Sequence, residues 1–455
     1  MTSLSLGLGI AAASPPAWFS HPAYTAIAEA TGLSSGPSFV ADFHRRRFAV
    51  TRIEAQAIPS STPAGLSRLS SSRFTDLFSY SRPSAASYVD ASGRLQLAAA
   101  DEPRFDWAAG TGALLLERPS TNMLLYSQTL SAASWIKSSS LLTGQTIISG
   151  SLALEGVRRS GEVFGGLQQP VSIVDGTQYT FSVFLSRQDG GISWFGLYNN
   201  TDALWQTTVQ VTWPAAHVSL AAAHISIPPN GQRNPPTDIR IQPLTGGIYR
   251  LSFTFVPTSA TGDFVSVNAQ ANRAADMTSN YFGGFQLEPS PFATSYMPTG
   301  NTAATRAADR CRLSPAAEAL LQRDEASVLV QAESLSGAGG RLLGAAGNTG
   351  LLSISGDGTG LAVGTEAPLP IGTDLASPLP ALGSAFAFGA SGKAGCHNGA
   401  SVASHAFPID AARVPAYLGR DGDGNFAGGR YRALVLWPFR MTEVSLQAKA
   451  VYDVL

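Results

Sequence analysis

Two short stretches decide the fold: residues 178–186 read QYTFSVFLS, and residues 248–256 read IYRLSFTFV. Apolar side chains fall at every second position of both stretches, and polar ones lie between them, with Phe184 as the interruption. The alternating apolar residues are Tyr179, Phe181, Val183 and Leu185 in the first stretch, and Tyr249, Leu251, Phe253 and Phe255 in the second. Period two with one apolar face predicts antiparallel strands that are half covered by a second sheet.

The sequence around these strands continues as short apolar runs separated by turns. Gly-containing turns such as QDGG at 188–191 and LTGG at 244–247 separate the strand-sized runs. We therefore expect a mainly β protein with a jelly-roll sandwich over 119–309 and a second sandwich over 310–455. Residues 41–118 are expected to form a β-rich connecting region. Helices are predicted only for SPAAEALLQRDEA, which begins at Ser314, and for a short segment at the end of the sequence.

Composition excludes several classes of function. The 30 basic and 31 acidic residues leave a net charge of −1, so no nucleic-acid partner is expected. Charged residues make up 13% of the chain, which together with 46 Gly and 28 Pro argues against a helix-dominated fold. No stretch approaches the ~20 consecutive apolar residues of a membrane span, so no membrane insertion is expected.

The first 40 residues have no sustained hydrophobic period and contain Pro15-Pro16. Their apolar run resembles a signal peptide but has no Lys or Arg before Arg45, so we expect synthesis in the cytoplasm without a signal peptide. We interpret residues 1–40 as an anchor that is ordered by a partner, and we therefore expect a homo-oligomer. The candidate anchoring side chains are Leu4, Leu6, Leu8 and Ile10.

An aromatic and amide-rich segment, GISWFGLYNNTDALWQ at 191–206, is the candidate sugar site. Sugar recognition needs flat apolar surfaces flanked by groups that reach hydroxyls. The candidate residues are Trp194, Tyr198, Asn199, Asn200, Asp202 and Trp205. Trp194 and Tyr198 could instead belong to the sandwich core, whereas Trp205 is the best candidate for exposure. Phe195 and Trp135 are expected in the core.

The sequence DGDGN places Asp421, Asp423 and Asn425 at the alternate spacing of a calcium loop. The EF-hand template fails, because Phe426 stands at its Gly position and Arg432 at its closing Glu position. An ordinary tight turn before a strand is the favoured interpretation, and calcium is the alternative. Cys311 and Cys396 are expected to be unpaired thiols, with one disulfide as the alternative.

Catalytic motifs are absent from the sequence. The six histidines form no HExxH motif, and there is no G-x-S-x-G elbow and no Walker loop. Cys396 and His397 are neighbours that would face opposite ways on a strand. We therefore expect no catalytic residues, no enzyme activity and no cofactor other than the calcium alternative.

Four segments, in order, resemble a modular family of tailed-phage and gene-transfer-agent virion proteins. These segments are ADFHRRRFAV (41–50), LFSYSRPSAASYVDASGRLQLAAADEPRFDW (77–107), GALLLERPSTNMLLYSQTLSAASWIKSSS (112–140) and GGFQLEPSPFATSYMPTGNTAATRAADR (283–310). Family members are spikes and fibres with a jelly roll similar to carbohydrate-binding modules. Residues 417–446, YLGRDGDGNFAGGRYRALVLWPFRMTEVSL, are similar to the laminin-G/concanavalin-type sandwich that often follows. LSLGLGI at 4–10 resembles the N-termini of alphaproteobacterial phage-like spikes.

The resemblance implies a lectin-like head spike or tail fibre on the virion surface of a bacteriophage or gene transfer agent. Such a protein would bind host-surface capsular polysaccharide, promote adsorption, and attach to capsid or tail proteins through residues 1–40. Weak sugar contacts would be multiplied by many copies per particle. The alternatives are a structural virion spacer or assembly protein without sugar binding, and a polysaccharide depolymerase or esterase.

Overall fold

The computed structural model describes most of the chain. The described residues are 37–51, 69–138, 140–160, 166–215, 218–229, 231–270, 278–373, 375 and 381–451. The predicted anchoring residues Leu4, Leu6, Leu8 and Ile10 lie outside them. Strands account for 48% of the residues and helices for 6%, which confirms the prediction of a mainly β protein.

The described elements group by their contacts into two compact units. Unit 1 contains the residues before Ser81 together with those from Arg310 onward, and unit 2 is Ser81–Asp309. The domain limits expected from the sequence, at 118/119 and 309/310, remain predictions.

The strands are numbered along the chain. Up to residue 81 they are β1 Phe39–Asp42, β2 Arg47–Thr51, β3 Leu69–Ser72 and β4 Phe78–Ser81. Those of unit 2 are β5 Ala86–Val89, β6 Leu95–Ala98, β7 Arg104–Asp106, β8 Ala113–Leu116, β9 Ser120–Asn122, β10 Ile136–Lys137, β11 Ser140–Ser149, β12 Leu152–Arg159, β13 Leu167–Val171, β14 Tyr179–Arg187, β15 Ile192–Asn199, β16 Leu204–Thr212, β17 Ile225–Ser226, β18 Thr237–Pro243, β19 Ile248–Phe255, β20 Val265–Gln270, β21 Ser279–Glu288 and β22 Ala304–Arg306. The remainder are β23 Arg310–Leu313, β24 Ala326–Ser336, β25 Arg341–Gly344, β26 Gly350–Ile354, β27 Leu361–Val363, β28 Leu369–Gly372, β29 Leu382–Gly389, β30 Gly392–His397, β31 Ala403–His405, β32 Tyr417–Leu418 and β33 Gly428–Trp437.

Helices are short. The α-helices are α1 Phe74–Leu77, α2 Pro315–Leu321 and α3 Glu443–Lys449, and single 3₁₀ turns occur at Ala222–His224 and Thr245–Gly247. Pro315 occupies the first turn of α2, where its missing N–H costs no hydrogen bond, and the Thr442 hydroxyl caps α3 by accepting a hydrogen bond from the Ser445 N–H. None of the described helices has the length and hydropathy needed to cross a membrane.

Unit 1 contains two antiparallel sheets. One has the order β3-β2-β1-β33-β24-β29-β30-β31 and the other β28-β27-β26-β25-β32-β23-β4. Strand β33 is buried at every position, and β1 and β24 pair with its two edges. Its register sets Phe39 opposite Leu436 and Ser327 opposite Trp437. Cys311 and Cys396 are both buried and form no disulfide, as expected from the sequence.

Unit 2 is built around two six-stranded antiparallel sheets. Their orders are β10-β13-β20-β15-β16-β17 and β11-β12-β21-β14-β19-β18. One core cluster takes side chains from both sheets, and it contains both alternating sets that the sequence singled out: Tyr179, Phe181, Val183 and Leu185, with Leu251, Phe253, Phe255 and the partly buried Tyr249. Phe195 and Trp135 also lie in this cluster, as predicted.

Phe184, the interruption in the alternation, has a separate role. It points to the opposite face of β14 and joins a second buried cluster that includes Leu152, Leu154 and Tyr296. Its ring meets that of Tyr296 edge to face at 5.6 Å. The second sheet of unit 2 is therefore covered on both faces at this point, which explains an apolar residue at a position where alternation calls for a polar one.

A buried ion cluster lies in unit 2. Arg104 contacts Glu117 at 2.8 Å and Asp309 at 2.6 Å, and Arg82 contacts Asp309 at 3.2 Å. Arg306 lies 3.5 Å from Glu117. All three arginines are inaccessible to solvent, so their charges must be compensated within the protein. The cluster joins distant parts of the sequence, because Asp309 bonds Arg82, 227 residues before it, and Arg104, 205 residues before it.

Candidate functional site

The candidate site lies on the first sheet of unit 2, on the face turned away from the core. Phe195 and Leu197 of β15 are fully buried in the core cluster. Because side chains alternate along a strand, Trp194 and Tyr198 project from the opposite face, which we call the outer face.

A β-bulge brings Trp205 to the outer face. From Ile192 to Leu197 the pairing of β15 with β16 is regular, but the register shifts after Leu197, so that Tyr198 pairs with Trp205. Without that shift Trp205 would occupy an inward position, since Thr207 and Val209 next to it pair with Leu197 and Phe195. The bulge therefore places two aromatic side chains side by side.

The three aromatic residues form one cluster. The Tyr198 and Trp205 rings lie 5.3 Å apart with planes at 74°, and the Trp194 and Trp205 rings lie 6.2 Å apart. Tyr198 and Trp205 are partly exposed, whereas Trp194 is only 2% exposed. The candidate stacking surface therefore consists of Tyr198 and Trp205. The Trp194 ring lies against that of Trp205 and is 2% exposed, so it has almost no surface to offer a ligand, and the structure does not favour a sugar contact for Trp194.

Asn199 is also corrected by its contacts. Its side chain is fully buried, with Nδ2 donating to Asp263 Oδ2 at 2.8 Å and to Asp202 Oδ2 at 3.1 Å. Its Oδ1 accepts hydrogen bonds from the backbone N–H groups of Thr201 and Asp202. All the hydrogen-bonding groups of this amide are used within the protein, by the 199–202 turn and by Asp263, so Asn199 positions the site and has no group left for a ligand.

Asn200 and Asp202 remain at the surface of this turn. Asn200 Nδ2 donates to Ser266 Oγ at 3.0 Å and to the Phe264 carbonyl at 3.2 Å, which fixes the amide beside the aromatic cluster. Asp202 Oδ2 pairs with Arg233 Nη1 at 2.8 Å, and both side chains are about one-third exposed or slightly less. The pair presents donors and acceptors to solvent with no net charge.

The outer face continues across neighbouring strands as a neutral surface. The register aligns Pro170, Ser266, Tyr198 and Trp205 in one row across β13, β20, β15 and β16. The next row contains Gln168, Asn268, Gly196 and Thr208. Adjacent strands are about 4.8 Å apart. In the first row Pro170 is exposed and Tyr198 and Trp205 are partly exposed, whereas Asn268, Gly196 and Thr208 of the second row are buried, so the surface open to a chain molecule is the first row.

Sequence reasoning missed several of these residues. Phe264, 50% exposed, follows the 259–263 turn, and its backbone bonds Asn200. Arg233 comes from a Pro-rich segment, and Pro170 from a strand without aromatics. None of them has a local sequence signal, because only the strand register brings them beside Tyr198.

The DGDGN loop of unit 1 has the hydrogen bonds of a turn. Asp421 is buried, its Oδ1 accepts from the N–H groups of Gly424 and Asn425, and its Oδ2 accepts from Asn425 Nδ2 at 2.6 Å. Arg341 Nε lies 3.4 Å from the same Oδ2. Donors thus surround the carboxylate that would have to bind a cation. Asp423 is exposed. No group of three or more His, Cys, Asp or Glu suited to a metal occurs among the described residues.

His397 and Cys396 do not form a catalytic pair. Cys396 is buried in the core of unit 1, and burial raises the pKa of its thiol to about 11. His397 Nδ1 contacts the Ile371 carbonyl oxygen. The thiol is therefore protonated at neutral pH and inaccessible.

No protein-family model matches the chain, and no curated protein sequence matches it significantly.

Proposed function

We propose that the chain binds a neutral polysaccharide through the outer face of unit 2. The observation that carries the proposal is the Tyr198–Trp205 ring pair, placed on that face by the bulge and flanked by Asn200 and the Asp202–Arg233 pair. Partly exposed rings next to fixed amides and hydroxyls are the components that sugar recognition requires.

We propose further that the polysaccharide belongs to a bacterial surface and that the chain is a spike or fibre of a phage or gene-transfer-agent particle. The support is the ordered resemblance of residues 41–50, 77–107, 112–140, 283–310 and 417–446. In this proposal unit 2 includes a carbohydrate-binding-like jelly roll, unit 1 a laminin-G/concanavalin-like sandwich, and residues 1–40 attach an oligomer to capsid or tail proteins.

The test is cosedimentation of the purified full chain with host-type cells, with and without their capsule. We expect binding that needs the capsule and falls at least tenfold in Trp205→Ala. Phe407→Ala is the matched control, because Phe407 is 58% exposed but lies in unit 1. Far-UV circular dichroism and thermal melting establish that both variants are folded.

Binding that survives Trp205→Ala would overturn the site. Absence of binding to either cell type, even with clustered protein, would favour a structural spacer that contacts other virion subunits. Release of reducing sugar or acetate from the capsule would favour the enzyme alternative.

A further inference from the structure

A second feature of unit 2 lies beside the proposed glycan surface. A partly open cavity of about 330 Å³ occupies the edge of β13 where β10 ends, since β10 pairs only with Leu167 and Gln168. Met123, Leu125 and Ser134 form one wall, and residues 169–172 form the other. A volume of this size is at the lower end of the range for small-molecule sites.

The walls of the cavity are held by the fold. Gln169 accepts a hydrogen bond from the Leu125 N–H at 2.6 Å and donates to the Leu125 carbonyl at 2.9 Å. Trp135, next to Ser134, is buried in the core 4.7 Å from the Phe285 ring. The cavity is therefore formed before any ligand arrives, which lowers the entropic cost of binding.

The lining defines the chemistry of an occupant. Met123, Leu125, Pro170 and Val171 present apolar groups, and none of the lining residues carries a charge. Ser134 Oγ is buried and has no hydrogen-bond partner among the described residues. A buried hydroxyl without a partner is unfavourable, so the best occupant combines a methyl-sized apolar group with an adjacent neutral hydrogen-bonding group.

Position connects the cavity with the outer face. Pro170 lines the cavity and also begins the row that continues through Ser266 and Tyr198 to Trp205. The shared residue Pro170 places the cavity at the end of this row.

We propose that this cavity binds the acetamido group of an N-acetylated sugar residue, with the methyl group against Met123 and Val171 and the amide on Ser134 Oγ. The inference rests on the proposed glycan-binding function, and it assigns the substrate class: a neutral polysaccharide that contains N-acetylhexosamine.

Saturation-transfer NMR on the full chain tests the proposal with three monosaccharide probes: N-acetylglucosamine, glucose and the 6-deoxy sugar fucose. We expect the strongest saturation at the acetamido methyl and little on glucose or fucose. Val171→Trp should fill the cavity and reduce the saturation of the acetamido methyl at least tenfold. The control Val256→Trp, at a 41% exposed position that does not line the cavity, should leave this saturation unchanged. Ser134→Ala should weaken binding about fivefold without threatening the fold.

Equal saturation of glucose, stronger saturation of the fucose methyl, or an unchanged signal in both Ser134→Ala and Val171→Trp would overturn the proposal. Failure of the proposed function is distinguishable. Trp205→Ala should abolish polysaccharide binding but retain the acetamido signal, since Trp205 does not line the cavity. If polysaccharide binding persists in Trp205→Ala and is lost in Val171→Trp, the result supports the cavity as a glycan site and refutes the site at Tyr198 and Trp205.

Discussion

Replacing Glu117 with Gln tests whether the buried ion cluster stabilises unit 2 through charge. Burial by itself raises the pKa of this carboxyl, but the attraction of Arg306 and Arg104 and two hydrogen bonds from Ser295 outweigh it, and the pKa falls from 4.5 to about 2. Hydrogen bonds of 2.7 Å from the Ser295 N–H and 2.6 Å from its hydroxyl hold the ionised form. A shift of this size corresponds to about 3 kcal/mol of folding free energy at neutral pH.

The direction of the pH dependence follows from the sign of the shift. Because the folded pKa lies below the unfolded value, the stabilisation is complete above about pH 5 and is lost as the pH falls through the folded pKa near 2. Glu117→Gln should therefore lower the unfolding free energy of unit 2 by about 3 kcal/mol at neutral pH, and the difference from the wild type should narrow in acid.

Urea unfolding followed by tryptophan fluorescence measures this difference, because five of the seven tryptophans (107, 135, 194, 205 and 213) belong to unit 2. Glu102→Gln, an exposed position in the same unit, is the matched control and should change stability by less than about 0.5 kcal/mol. A difference between wild type and Glu117→Gln that stays constant from neutral pH to about pH 3 would refute an electrostatic role for this carboxylate.

Three further outcomes are expected. Phe184→Ala should lower the unfolding free energy by about 3–5 kcal/mol in the same urea assay, because it leaves a cavity in the second buried cluster beside Tyr296. A decrease below about 1 kcal/mol would contradict that packing. Calcium and EDTA should leave the melting temperature of the full chain unchanged, since donors surround Asp421; saturating calcium that adds about 2–3 kcal/mol of stability would restore the calcium alternative. Cys396 should resist a thiol reagent such as DTNB in native buffer and react after unfolding in urea, because burial raises its pKa to about 11; rapid native labelling assigned to Cys396 by mass spectrometry would show that it is accessible.

The sequence predicts the parts of unit 2 in which side-chain direction depends only on strand period. The core positions of Phe181 and Val183 can be predicted, because the alternation of apolar and polar residues along a strand is a local property of the sequence. Phe184 shows the limit of this rule. Its partners Leu152 and Tyr296 come from distant segments, so no local pattern can indicate that the other face of β14 is covered as well.

The candidate site also has a part that the sequence predicts and a part that only the structure shows. The sequence identifies Tyr198 and Trp205 by residue type, but the face on which Trp205 lies depends on one register shift. Asn199 and Asn200 are adjacent amides with the same chemistry in the sequence. The structure distinguishes them, because the hydrogen-bonding groups of Asn199 are all used within the protein whereas Asn200 lies at the surface of the turn. Pairing register and hydrogen-bond use are non-local, and sequence spacing does not encode them.

The distribution of charge in unit 2 explains why its outer face suits a neutral ligand. Three arginines of unit 2, Arg82, Arg104 and Arg306, are buried and contact Glu117 and Asp309, so their guanidinium groups are not presented at the surface. Asp202 pairs with Arg233, Asp263 adds one further carboxylate through its contact with Asn199, and the rows beside Tyr198 and Trp205 contain no charged residue. A surface of this kind cannot attract a polyanion over distance, and its affinity must come from stacking and short hydrogen bonds. Such contacts are weak individually, so a glycan that repeats the same unit, bound by several copies of the chain, is the ligand for which this surface is adequate.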